Sequence, residues 1–300
     1  MQKTLIVCAP IFFVLLWSTG FIGSKLGAPY AEPMVFLSLR FLLVLPFLAL
    51  IGLIAKADWP RSPKMIVHCI VTGMLVHGIY LGGVFWAIKQ GMPAGSSAII
   101  VGLQPVLTTL TAAMILGEHV LPKHMLGLAL GGLGLFLVLS PKLGQTGSGI
   151  DAGTIASVLA AVIAISLGTV YQKRFVPQTD LLAATLWQYI GALVVTVPLA
   201  LVEDWTIVWS GEFVFALLWL TFVLSIGAIL LLMVLIRQGA VSEVASLFYL
   251  VPVATAIEGY FLFGETLTLL QMLGMALVVC AVLLIRLRLR KSDSLKTTSG

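Results

Sequence analysis

An arginine and a glutamate each stand alone inside a long apolar run: Arg40 between Leu39 and Phe41, Glu258 between Ile257 and Gly259. A charge buried in a bilayer costs about 2.5–3.5 kcal/mol on insertion scales and needs an internal partner or water. Two chemistries fit such residues. They can form an ion pair that locks two helices, or they can face a cavity and bind a substrate or a coupling proton. At 1.5 Å of rise per residue both lie roughly 9–10 Å from the same end of their runs, so they share a depth. Trp17 and Ser18 sit midway along the first run, too deep for the interfacial belt where Trp usually collects. A Trp there can stack on a cation or a ring, or simply pack the core. His77 and Tyr80, three residues apart, share one helical face, with Trp86 farther along, and suit either a lumen or a satisfied core. Pro105 and Pro252 each remove a backbone donor within a run. Matched interruptions point to a transport site, to which Gln104 and Tyr249 then belong, although packing kinks are the plainer reading.

The elements that must position these residues are membrane helices. Of 300 residues, 60% are hydrophobic and 10% charged, against about 25% charged in a soluble domain, which excludes a water-soluble globule and equally a disordered chain. Ten apolar stretches of spanning length follow one another at about 4–24, 33–55, 65–88, 94–117, 122–140, 153–171, 181–202, 213–236, 244–264 and 266–285. The first is read as a retained helix and not a signal peptide. With the loops assigned alternately to two sides, Lys25, Lys89 and Lys142 fall on one side. Nearly all other bases, among them Lys56, Arg61, Lys64, Lys173, Arg174 and those from Arg286 onward, fall on the other. The positive-inside rule then places both termini in the cytoplasm. Because the bases are scattered between apolar runs, no nucleic-acid surface is expected.

The chain repeats itself. An offset of 148 carries Ser18 to Ser166, Gly20 to Gly168, Lys25 to Lys173 and Gln90 to Gln238; an offset of 147 carries Pro105 to Pro252, Gly117 to Gly264 and Glu118 to Glu265. Five spans per half put corresponding residues on opposite sides, so the expected fold is an all-α integral membrane protein of ten transmembrane helices built from two inverted five-helix repeats. The first repeat is 1–146, the second 147–290, and 291–300 forms a cytoplasmic tail. Gln188 stands where Arg40 would recur and Ile165 where Trp17 would, so the two halves are not chemically alike.

Some smaller features carry structural readings. Glu118 and Glu265 precede helices, where a carboxylate suits the positive end of the helix dipole, and Ser242 and Glu243 look like a helix start. His68 lies near the inner end without polar company. Cys8, Cys69 and Cys280 lack metal-ligand spacing and are read as buried thiols without a disulfide. Gly23 and Gly27, Gly78 and Gly82, and Gly127 and Gly131 allow close helix contact, within one chain or between two.

Trp17-Ser18-Thr19-Gly20, Leu39-Arg40-Phe41, Gly102-Leu103-Gln104-Pro105-Val106 with Leu116-Gly117-Glu118, and Val251-Pro252-Val253 with Phe263-Gly264-Glu265 resemble tandem EamA-like modules of the drug/metabolite transporter superfamily. The resemblance covers nearly all of residues 4–286. It implies a secondary transporter in the cell (inner) membrane that exports a small molecule. The residues suggest an amino-acid-like or other amphipathic, zwitterionic metabolite, with lipophilic cations as the alternative. Substrate-binding candidates are Trp17, Ser18, Arg40, His77, Tyr80, Trp86, Gln104, Gln188, Tyr249 and Glu258. The expected partners are the substrate, the bilayer and a coupling proton; no cofactor is expected, and the oligomeric state is left open. No phosphate-cradling glycine loop is present, and a membrane enzyme would need paired acids or a nucleophile with its base. A channel would need a charged ring or a carbonyl filter.

Overall fold

A computed structural model describes residues 2–117, 122–141, 147–177, 179–228, 231 and 250–286. Tyr249, Glu118, Lys142, Ser242, Glu243 and the tail 291–300 lie outside the described residues. Within them the chain is helical, with no strand. Its helices are α1 (Gln2–Gly27), α2 (Pro33–Ile54), α3 (Pro63–Gly73), α4 (Tyr80–Lys89), α5 (Ala94–Val101), α6 (Gln104–Leu116) and α7 (Pro122–Leu139). They continue with α8 (Ala152–Phe175), α9 (Leu181–Ala200), α10 (Gly211–Leu218), α11 (Val251–Phe263) and α12 (Leu269–Arg286). Among the described residues six helical stretches are long and apolar enough to cross a membrane, and four further apolar helices are shorter.

Local chemistry sets the helix ends. Pro33 and Pro63 occupy first turns, where the missing N–H is not needed. Asp151 starts α8 with a reciprocal box: it accepts from Thr154 N at 2.8 Å while Thr154 Oγ1 accepts from Asp151 N at 3.0 Å. Asp180 accepts from the amides of Leu182 and Ala183 to start α9, and Ser210 from Phe213 to start α10. Glu203 caps α2 from across the chain, accepting from Met34 N at 2.8 Å and Val35 N at 3.0 Å.

The proline breaks expected from the sequence are present. The fourth stretch is interrupted at Gly102 and Leu103, and Pro105 sits in the first turn of α6; Pro252 sits in the first turn of α11. Both helices end on a left-handed glycine, Gly117 at φ 70° and Gly264 at φ 65°, where a Cβ would be strained. The sequence did not signal two π-helical segments, Met74–Ile79 between α3 and α4 and Trp219–Ala228 after α10. They occupy corresponding positions of the two halves.

The packing respects the same correspondence. α1 lies against α11 and α8 against α6, α2 against α9, and α7 against α12. The first π segment and α3 contact α9, while the second π segment contacts α2. Phe36, Phe41, Tyr189 and Phe213 form an aromatic core around α2, with Phe41 stacked on Tyr189 at 5.3 Å. Glycines make the closest approaches within this one chain. Gly73 lies under the Gln188 backbone and Gly191 under that of Ile70, while Gly23, Gly27, Gly78 and Gly82 receive Leu220, Phe36, Val195 and Met34.

Three sequence readings are corrected. Cys280 is exposed on α12 and not buried, because among the described residues none covers its side chain, whereas Cys69 is buried. His68 does have company: Tyr171 Oη lies 2.7 Å from its Nδ1 and Phe175 stacks on it at 4.7 Å, partners brought by α8 from far along the chain. Glu265 meets the start of α5 and not of the helix after it. It accepts from Ala94 N at 3.0 Å and Gly95 N at 3.2 Å and forms an ion pair with Lys25. A carboxylate at a positive helix end is what the sequence suggested, but the helix end is a distant one.

Candidate functional site

Where α1, α2, α4, α8, α9 and the two π segments meet, they enclose about 710 Å³ of empty space, the open mouth included. The wall is mostly apolar, with Trp17, Arg40, His77, Tyr80, Tyr189 and Ser225 as its polar-tipped members. An apolar wall with a few convergent polar groups has the character of a small-molecule site. Both π segments face it: Val76 and His77 come from the first, Leu224 and Ser225 from the second. A π segment shifts the hydrogen-bonding ladder by one residue and re-aims side chains, which is why such segments recur at functional sites.

Arg40 is the cavity's charged group and is only 3% exposed. Its Nε and Nη2 both donate to Ser225 Oγ, at 3.1 and 2.9 Å, and Ser225 Oγ donates in turn to Leu220 O at 2.9 Å. Nη1 has no hydrogen-bond partner among the described residues. Tyr80 and Tyr189 flank the guanidinium, and His77 packs on Tyr189 at 4.7 Å.

Arg40 and Glu258 do not pair. α2 and α11 present them to different neighbours. Glu258 lies outside the cavity wall, with Oε1 2.6 Å from Ser18 Oγ and Oε2 without a partner among the described residues. Ser18 itself is fully buried and also lies 2.8 Å from Leu15 O.

Of the candidates read from the sequence, the structure brings Trp17, Arg40, His77 and Tyr80 into one wall. Gln188 is buried and stands against His77. Gln104 opens α6, its carbonyl accepting from Ser166 Oγ at 3.3 Å, and is not in the wall. Trp86 is 36% exposed and also lies outside it. Tyr189 and Ser225 were missed. The repeat could have found Ser225, since an offset of 148 carries His77 to Ser225 as it carries Arg40 to Gln188. The Arg40–Ser225 contact is therefore the counterpart of the Gln188–His77 contact.

The sequence model of the EamA-like transporter family matches residues 4–140 and again 153–287. The chain belongs to the EamA-like transporter family. Among curated relatives, an uncharacterized transporter of Bacillus subtilis, YvbV, is 26% identical over 95% of this chain and 92% of its own. A Salmonella typhimurium protein named "Probable amino-acid metabolite efflux pump" is 26% identical over 91% of each chain. The uncharacterized inner membrane transporter YedA of Escherichia coli is 28% identical over 91% of this chain and 88% of its own. One solved crystal structure shares the fold, with a TM-score of 0.65 over 95% of this chain and 97% of that one at 21% identity. This EamA-like chain is thus a multi-span membrane transporter, and its cavity takes walls from both family-matching segments.

Proposed function

We propose that the chain is a secondary transporter that exports a small, amino-acid-like amphipathic metabolite by alternating access through this cavity. One observation carries the reading. The wall is built from corresponding positions of the two halves, Trp17 with Ile165, Val76 with Leu224 and His77 with Ser225, and Arg40 corresponds to Gln188 just behind it. A site at the interface of two repeats, beside interrupted helices, is the arrangement that lets one half rock against the other around a fixed ligand. The matched packing of α1 on α11 and α8 on α6 supports two inverted five-helix repeats, 1–146 and 147–290, in a ten-span chain. Loop charge supports an inner-membrane orientation with both termini cytoplasmic.

Export and an amino-acid-like cargo are supported by the Salmonella relative's name. Lipophilic cations lose ground, because the cavity's charge is a guanidinium and Glu258 lies elsewhere. Glu258 is assigned the coupling proton. Ser18 has one hydroxyl proton and two acceptors in reach, so a carboxyl that brings its own proton satisfies the group best. Counterflow in proteoliposomes tests the proposal. Unlabelled substrate trapped inside should accelerate uptake of labelled substrate, as carriers do and channels or enzymes do not. Folded protein that shows no counterflow across a metabolite panel would reject it.

A further inference from the structure

We infer that the cavity recognises an anion: a small monocarboxylate with an apolar or aromatic body, whose carboxylate docks on Arg40 and which needs no ammonium group. The inference rests on the carrier reading alone and departs from its amino-acid-like cargo, keeping the carboxylate and the apolar body and dropping the ammonium group.

A buried guanidinium needs an opposite charge, because desolvating an ion is repaid only by a well-placed counter-charge and further hydrogen bonds. Arg40 has no such partner among the described residues. Two of its donors share one neutral oxygen, Ser225 Oγ, whose own proton is given to Leu220 O, and Nη1 is unsatisfied among the described residues. No acid is among the groups that face it: Trp17 from α1, His77 from the first π segment, Tyr80 from α4 and Tyr189 from α9. Glu258 and Glu265 are engaged elsewhere, the first with Ser18 and the second with Lys25 and the start of α5. The counter-charge therefore has to arrive with the ligand, and the planar fork of Arg suits a carboxylate.

The rest of the wall sets the body and the charge count. Phe21, Val84, Phe85 and Leu224 offer only apolar surface. The position corresponding to Arg40 in the second half is the neutral Gln188, so a second carboxylate would find no cation there. An ammonium group would find no acid in the wall and would be repelled by the guanidinium. The single charge thus argues against zwitterions as the preferred cargo, and the asymmetry between the halves against dianions.

Four probes with one phenylpropyl framework decide the matter: 3-phenylpropionate, phenylalanine, 3-phenylpropylamine and 3-phenylpropanol, each assayed by thermal shift and by counterflow. The acid should be preferred over the other three by about 10- to 100-fold, the range expected for one charge-assisted hydrogen-bonded contact. Arg40→Lys should keep that order with weaker binding, and Arg40→Gln should bring acid and alcohol together. The wild-type order decides even where Arg40→Gln does not fold. Phenylalanine or the amine exchanged as well as the acid would overturn the inference while leaving the carrier reading intact. So would an acid preference that survives Arg40→Gln, and so would an acid that neither shifts the melting temperature nor exchanges. An acid-induced shift lost in Arg40→Gln, without counterflow of any probe, would keep the anion site and reject the carrier.

Discussion

Ser225 and Glu258 separate two roles that look alike in the sequence, binding a charge and carrying one. Ser225 holds the Arg40 guanidinium through Nε and Nη2. Ser225→Ala leaves both donors without an acceptor in a buried place, and we expect a loss of about 1–3 kcal/mol in stability, read as a lower melting temperature in detergent. Added carboxylate ligand should recover part of that loss by supplying the missing acceptor. Glu258 sits apart from the wall, so Glu258→Gln should abolish uptake driven by a pH gradient and leave counterflow of substrate intact. Gradient-driven uptake unchanged in that variant would remove Glu258 from any proton role. Much of the site was legible, because Arg40, His77 and Tyr80 are polar groups in apolar runs and Trp17 is too deep for an interfacial anchor. Ser225 and Tyr189 were not, since a single serine or tyrosine in a membrane helix is common and carries no charge to betray it. Depth alone suggested contact between Arg40 and Glu258, but depth constrains one coordinate, and the packing decided the rest: α11 lies on α1 and α5, α2 on α9 and the second π segment.

At the scale of elements, backbone contact holds the cavity's wall in place. Gly73 ends α3 one residue before the first π segment, and a Cβ there would collide with the Gln188 backbone; a Cβ on Gly191 would collide with that of Ile70. Backbone cannot swing aside as a side chain can. Gly73→Ala and Gly191→Ala should therefore each cost about 1–3 kcal/mol by overpacking, measured as a lower melting temperature. They should also weaken substrate binding, because α3 leads directly into His77. Gly211→Ala, which meets nothing within 4 Å, is the control and should change neither. The breaks at Pro105 and Pro252 were readable because proline has a fixed backbone consequence. The π segments were not, because a one-residue shift in the ladder leaves no trace in a run that is apolar on every face. Glu265 was read with the correct chemistry and the wrong helix, since the amides it meets lie 171 and 170 residues away in sequence.

For the whole molecule, the distribution of charge along the bundle axis sets which way the cavity faces. Lys25 pairs with Glu265 and Lys89 with Glu32 at 3.2 Å, so these two bases of one end are engaged with acids of the same end. At the other end Arg174 donates to the Ile115 carbonyl at 2.7 Å and lies over Phe175 at 5.4 Å, and Lys56, Arg61 and Lys64 are exposed. It is the number of Lys and Arg in short loops that retains them in the cytoplasm, and the end with Lys56, Arg61 and Lys64 has the more. The proposed orientation thus puts Lys25 and Lys89 outside, and the loop with Lys56, Arg61 and Lys64 inside. Thiol labelling of intact cells tests this on the full chain once Cys8, Cys69 and Cys280 have been replaced. A cysteine at Gln90 should react with a membrane-impermeant maleimide, and one at Asp58 only after permeabilisation. Both positions are exposed and lie between helices, so access differs by side and not by burial. The reversed pattern would turn the bundle over, place the clasp of Lys25, Glu265 and α5 on the cytoplasmic side, and make the release end of the proposed export the end richer in bases.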